Sequence, residues 1–396
     1  MALTRILVVI LAGGAGGRLE LLTDNRAKPA VAFGGTYRLI DFPLSNCLHA
    51  GIADVWVIQQ FNPGSLSDHL ANGRPWDLDR TSGGLLVLHP HRGNARGGWH
   101  QGTADALWRN APIIREFGPE ALVVVSADAV YKLDYRAVVE RHRGSDASVT
   151  MVTTRVAKED ASRYGVVQVS DDGTITDYAY KPEEPAGDLV SNEVLVFTPD
   201  RVLDLLDELA DQVDEDEGLE DLGDELLPKL VAAGEGREHR FEGYWRDVGT
   251  IPAYWAAHMD LLARRPPIDL DEPGWPIQTQ GGRSAAARIG NDADVANCLL
   301  SPGCHIDGSV SDSVISPDVH IETGASVRDS VLLHGVVVRS GAIIERSIID
   351  QGVEIGAASR VGGAGDIALI GGESNLAAGS AVVAGGRVPA VDEGAD

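Results

Sequence analysis

Short aliphatic runs, too brief for helices, alternate with stretches of helical spacing through the first two thirds of the chain. Residues 6–12, 55–61 and 122–127 are runs of this kind and predict buried strands, while 104–117 carries apolar residues at helical spacing. The alternation predicts a parallel α/β sheet covered on both faces. Further strand-like runs at 148–156, 165–170 and 194–197 lie closer together, so a mixed, mainly parallel sheet is expected. Between 264 and 287 the composition shifts to Pro266, Pro267, Pro273, Pro276, Gly281 and Gly282, which predicts a linker.

Beyond the linker the beat changes to six. Val331, Val337, Ile343, Ile349, Ile355 and Val361 follow one another without a break, and Ile315, Ile321, Val327 and Leu333 do so in another phase. A parallel β-helix explains such a beat, because each side turns one aliphatic residue to the axis and ends in a corner rich in Gly, Ser and Asp. The change of phase predicts an irregular corner at 327–337. The chain therefore divides into a first domain at 1–263, a linker at 264–287, and a β-helix at 288–396 that ends in a short acidic tail.

Charge narrows the partners. The 396 residues hold 33 Lys and Arg against 59 Asp and Glu, a net charge of -26, which is the wrong sign for a nucleic-acid or anionic-membrane binder. An anionic ligand would need a few local cations to capture it. The 12 acidic residues within 204–225 are interleaved with leucines and predict an amphipathic helix or loop with a solvated acidic face. Three cysteines, Cys47, Cys298 and Cys304, predict no disulfide scaffold and a reducing, cytoplasmic setting. Cys298 and Cys304 stand six apart and are expected to stack in adjacent hexads. His305, His320 and His334 are expected to serve packing or the surface. The apolar run at 6–12 is too short for a membrane span and does not read as a signal peptide.

Candidate chemistry begins directly after that run, at Leu11-Ala12-Gly13-Gly14-Ala15-Gly16-Gly17-Arg18-Leu19, followed by Arg26-Ala27-Lys28-Pro29. Glycines let backbone N–H groups approach a polyphosphate, and Arg18 and Lys28 supply positive charge. Leu19 stands where a dinucleotide-binding turn needs glycine, and the Gly-Lys-Ser/Thr of a P-loop is absent. Two aspartates also stand out: Asp128, at the end of the strand predicted at 122–127, and Asp247, in Trp245-Arg246-Asp247-Val248-Gly249. Taken singly, each reads as a turn or capping residue.

The stretch from Leu11 to Pro29 resembles the sugar nucleotidyltransferases. Tyr37-Arg38-Leu39-Ile40-Asp41-Phe42, Trp99-His100-Gln101-Gly102-Thr103-Ala104-Asp105, Tyr164-Gly165-Val166, Tyr244 to Thr250 and Trp275-Pro276-Ile277 narrow the resemblance to the bacterial glucose-1-phosphate adenylyltransferases. It implies a Rossmann-like nucleotidyltransferase domain followed by a left-handed parallel β-helix. It also implies transfer of AMP from ATP to glucose 1-phosphate, giving ADP-glucose and pyrophosphate for glycogen or α-glucan synthesis, by an allosterically controlled homotetramer. Arg18, Lys28 and Asp128 would be catalytic, and Asp128 and Asp247 would hold magnesium. Leu11, Ala12, Gly13, Gly14, Gln101 and Gly102 would face the nucleotide. His100, Gly165, Tyr180, Lys181 and Ser191 would face the sugar phosphate.

Departures cluster on the sugar side. Ala127-Asp128-Ala129 replaces the usual Gly-Asp-His, Tyr180-Lys181-Pro182 replaces Glu-Lys-Pro, and Ser191-Asn192-Glu193 replaces Ser-Met-Gly. His100 stands for a usual Tyr and Ala15 for a frequent Arg. Asn25 stands where sugar-phosphate-activated members carry Lys, which bears on activator control. Glu193 could supply the carboxylate that Tyr180 lacks.

Overall fold

A computed structural model gives the fold and describes residues 5–14, 16–90, 98–213, 218–282 and 284–389. Ala15 and most of the acidic tail lie outside the described residues. The strand Ile6–Ala12 runs through the middle of a nine-stranded sheet, parallel to Asp54–Gln59 on one side and to Ala121–Ser126 on the other, with Gly84–Leu88 beyond. The direction then changes. Leu189–Phe197 lies antiparallel to Ala121–Ser126, and Val149–Arg155, Gly165–Val169 and Ile175–Tyr180 continue the mixed half. Gly84–Leu88, Ile175–Tyr180 and Gly236–Arg240 are strands that periodicity does not flag, because each mixes exposed and buried positions without strict alternation.

The helical stretch at 104–117 forms two helices, Thr103–Arg109 and Ala111–Phe117, which part at Asn110. Pro112 has no N–H for the ladder and its ring clashes with the preceding turn, so it starts a second helix instead of continuing the first. Pro199–Ala210 follows the amphipathic expectation, burying Leu203, Leu206 and Leu209 while Asp204 and Asp207 face outward and pair with Arg115.

Two histidines in this domain are buried for structure. His142 bonds the hydroxyls of Thr150 and Thr198, and His258 accepts from the Gly34 N–H. Burial pulls both imidazoles down to about 4. The unfolded chain therefore binds protons first as pH falls, so the stability contributed by each neutral ring is whole above about 6.5 and is lost progressively toward 4, up to roughly 3 kcal/mol apiece. In urea titrations the stability gap between wild type and His142→Gln is expected to shrink from pH 7.5 to pH 4.5. A gap independent of pH would overturn this account.

The C-terminal part is a left-handed parallel β-helix of three six-stranded sheets. Its phase corrects the sequence expectation. Ile321 stacks on Val338 and Val338 on Ile355, so a coil takes 17 residues from 321 to 338, with two sides of six and one of five. The axis is filled by Ile321, Val327, Leu332, Val338, Ile344, Ile349, Ile355 and Val361. Val337 and Ile343, which sit on the unbroken beat, face partly outward beside Val338 and Ile344. No single irregular corner interrupts 327–337, because the phase shifts on every coil.

The spacing of six places Cys298 and Cys304 on neighbouring sides of one coil, not one above the other. Cys304 is buried and Cys298 half-buried. His305 and His320 do stack, in register, with ring centroids 4.8 Å apart and planes 1° from parallel. His334 is exposed, 3.8 Å from Asp318.

The two parts share a core. Leu22, Phe33, Phe42 and Tyr254 pack with Val331, Leu333, Ile348 and Leu369. Arg26 crosses to Asp350 of the β-helix through two parallel hydrogen bonds of 2.7 and 2.9 Å, with both side chains buried. Part of the segment 264–287 is strapped down: Ile268, Leu270 and Ile277 are buried, and Trp275 donates to Asn46 Oδ1.

Candidate active site

A cavity of about 610 Å³ opens along the carboxyl ends of the strands Ile6–Ala12 and Ala121–Ser126, the place where open α/β sheets form ligand sites. Asp128 lies just beyond the second of these strands, and the chain then forms a short strand, Ala129–Tyr131. That strand pairs antiparallel with Trp245–Asp247, placing Asp247 opposite Ala129. Two aspartates far apart in sequence are thereby brought to one wall.

Cations hold them there. Lys28 Nζ donates to Asp128 Oδ2 at 2.8 Å, and Ser126 Oγ donates to Asp128 Oδ1 at 2.6 Å. Arg163 donates to Asp247 Oδ2 at 2.7 Å, and the Gly249 N–H donates to Oδ1 at 2.8 Å. Burial alone would raise the Asp128 carboxyl, but the charge and hydrogen bond of Lys28, with Ser126 and Arg18, hold it below the ordinary value. Asp247 goes the other way: burial and the charge of Asp128 push it up against Lys28 and Arg163. Burial works against the Lys28 charge, yet Asp128, Asp247 and Glu193 outweigh it and raise the ammonium above the usual lysine value. Gly249 suits the close approach of these side chains. A Cβ there would lie 2.8 Å from Asp247 Oδ1 and 3.1 Å from Lys28 Nζ.

Leu11, Ala12, Gly13, Gly14, Arg18, Gln101 and Gly102 line the end of the cavity reached by the glycine turn. Gly102 also lies against backbone, since a Cβ there would meet the Glu220 carbonyl carbon at 2.2 Å. Phe61 lines the mouth and stacks on the exposed Trp99, ring centroids 5.7 Å apart.

His100, Gly165, Tyr180, Lys181 and Ser191 line the same cavity. Tyr180 donates its hydroxyl to Asp221 Oδ2 at 2.8 Å and accepts from Lys181 Nζ at 2.5 Å. Glu193 opens to this wall from a bulge in Leu189–Phe197. Its surface is accessible to the cavity, yet it lies deep among protein atoms. Burial, then the charges of Asp128 and Asp247, push its carboxyl up to about 7.

Every residue singled out from the sequence as a site candidate borders this one cavity. Arg163 and Asp221 border it as well and are not found by sequence reasoning. Asp221 belongs to the acidic run expected to be a solvated face, but it accepts from the Thr103 N–H and hydroxyl as well as from Tyr180.

Comparison with known proteins gives the family. The family model for nucleotidyl transferases matches residues 7–264. The chain belongs to the nucleotidyl transferase family. A second model, for GlmU-like C-terminal hexapeptide repeats, matches residues 283–366 of the β-helix. The chain is 43% identical over 300 residues to a glucose-1-phosphate adenylyltransferase of Thermomicrobium roseum, covering 76% of this chain and 69% of the relative. It is 39% identical to the protein of that name from Fusobacterium nucleatum, covering 82% of this chain and 84% of the relative. Among the described residues, no helix of this nucleotidyl transferase is long and apolar enough to cross a membrane.

Proposed function

We propose that this chain transfers AMP from ATP to glucose 1-phosphate, yielding ADP-glucose and pyrophosphate. The convergence of Arg18, Lys28, Asp128 and Asp247 on one cavity carries the reading, and the adenylyltransferase name of relatives 38–43% identical supports its substrates. A phosphate oxygen of the sugar phosphate attacks the α-phosphorus of ATP as the bond to the β-phosphate breaks in line. That oxygen is already ionised at neutral pH, so no side chain need remove a proton. The protein's task is to hold two anions together and offset the charge developing on the leaving group.

Arg18 and Lys28 bind and orient the ATP phosphates, the glycine turn lies along them, and Lys181 meets the sugar phosphate. Asp128 and Asp247 suit magnesium, being hard oxygen donors that need no dedicated cage. Burial and the charge of Asp128 push Asp247 up, a strain that a dication relieves. When bound, the ion supplies charge neutralisation at the phosphates. A cytoplasmic homotetramer under effector control, feeding glycogen or α-glucan synthesis, belongs to the same reading. Light scattering of the purified chain tests the assembly.

Purified protein with magnesium, ATP and glucose 1-phosphate is expected to release pyrophosphate in step with ADP-glucose. A matrix of four nucleoside triphosphates against several sugar 1-phosphates decides the assignment, and turnover confined to another pair overturns it.

A further inference from the structure

Two non-glycine residues in the wall of this cavity hold left-handed backbone, Lys181 with φ +44° and Glu193. The φ of Glu193 is +59°, in the left-handed region that suits glycine and strains any residue with a side chain. The strain comes from the bulge: Ser191 pairs with Thr153 and Leu195 with Met151, so four steps along the central strand answer two along its neighbour. A strained residue persists when its surroundings fix it, and strain of this kind collects at ligand sites.

The carboxylate also lacks a partner. Among the described residues none donates a hydrogen bond to it, although it lines the cavity. The charges acting on it are those of Asp128 and Asp247 on one side and of Lys28 and Lys181 on the other. It therefore lies between the wall assigned to the metal and the cation assigned to the sugar phosphate. The other acceptors nearby are occupied, since Tyr180 is engaged by Asp221 and Lys181, and Asp221 by Thr103 and Tyr180. A carboxylate that faces the cavity without a donor of its own is complementary to a ligand that brings donors.

We propose that Glu193 is a specificity-determining residue of the sugar subsite, its carboxylate accepting hydrogen bonds from hydroxyl groups of the incoming hexose 1-phosphate. The inference rests on the adenylyltransferase reading above. Hydroxyl groups are neutral donors, so they satisfy the carboxylate without crowding the anionic site. In its ionised form the carboxylate repels a hexose that carries a carboxylate or a second phosphate, which sharpens selection.

The test is steady-state kinetics of the full chain, wild type and Glu193→Gly, with glucose 1-phosphate and its 2-, 3-, 4- and 6-deoxy analogues. Wild type is expected to discriminate against at least one deoxy analogue by about 30-fold in kcat/KM, the scale of one hydrogen bond to a charged group. Glu193→Gly should lose that discrimination and raise KM for glucose 1-phosphate by a similar factor, with KM for ATP changed less than about twofold. Glycine removes the left-handed strain, so the melting temperature should stay at or above that of wild type, separating lost recognition from lost folding. Full discrimination retained by Glu193→Gly, or KM for ATP rising in parallel with that for the sugar, overturns the inference. Wild type inactive with every sugar 1-phosphate overturns the underlying reading instead.

Discussion

Asp128→Asn is expected to lower kcat by about a hundred- to a thousandfold, the scale on which removing one preorganised charge from a transition-state site acts. The side chain keeps its size and can still accept from Ser126, so the cavity keeps its shape. Two things are lost: a ligand oxygen with full charge, and the partner that holds Lys28 raised and fixed. Asp247→Asn should act in the same direction, and the double variant should lose much less than the product of the two, because residues that serve one unit are not additive. Near-wild-type melting with the collapsed rate is the expected pattern. If Asp128→Asn keeps the wild-type rate at saturating magnesium, the metal assignment is wrong.

What the sequence discloses about this site depends on whether the chemistry is local. The glycine turn with Arg18 and Lys28 is legible because its parts are contiguous and each residue type answers to phosphate. Asp128 and Asp247 are legible only through family resemblance; what joins them is the pairing of Ala129–Tyr131 with Trp245–Asp247, a contact that no periodicity announces. Asp221 is hidden by its setting, since in a run of acidic residues one that turns inward looks like the rest. Arg163 sits in a 3-10 turn with nothing periodic around it. Glu193 stands out in the sequence only as a carboxylate offered in place of the one Tyr180 lacks, and its left-handed backbone shows only once the bulge is seen.

In the β-helix the beat of six reveals the fold but mistakes the phase. Doublets such as Val337-Val338 and Ile343-Ile344 let either member occupy the beat, and only the five-residue side within the 17-residue coils decides which turns inward.

Asp350→Ala is expected to lower the free energy of unfolding by about 3–5 kcal/mol, because it leaves the guanidinium of Arg26 buried without its counter-ion. The pair is almost fully withdrawn from water, and burial pushes the Asp350 carboxyl up even against Arg26. Its position gives the break a second consequence. Arg26 precedes Lys28 by two residues, and Lys28 opens the short 3-10 turn Lys28–Ala30 that aims its ammonium at Asp128. A misplaced Arg26 should move that ammonium, so kcat should fall even at temperatures where the variant is fully folded. Arg26→Met combined with Asp350→Leu separates the two effects. An apolar pair removes the unpaired charge and should restore most of the stability in urea titrations. If the β-helix holds the Lys28 turn through the geometry of the forked hydrogen bonds, kcat stays depressed in this stable double variant. If kcat returns along with stability, packing alone positions the turn, and the ion pair matters only because a lone buried charge cannot be tolerated.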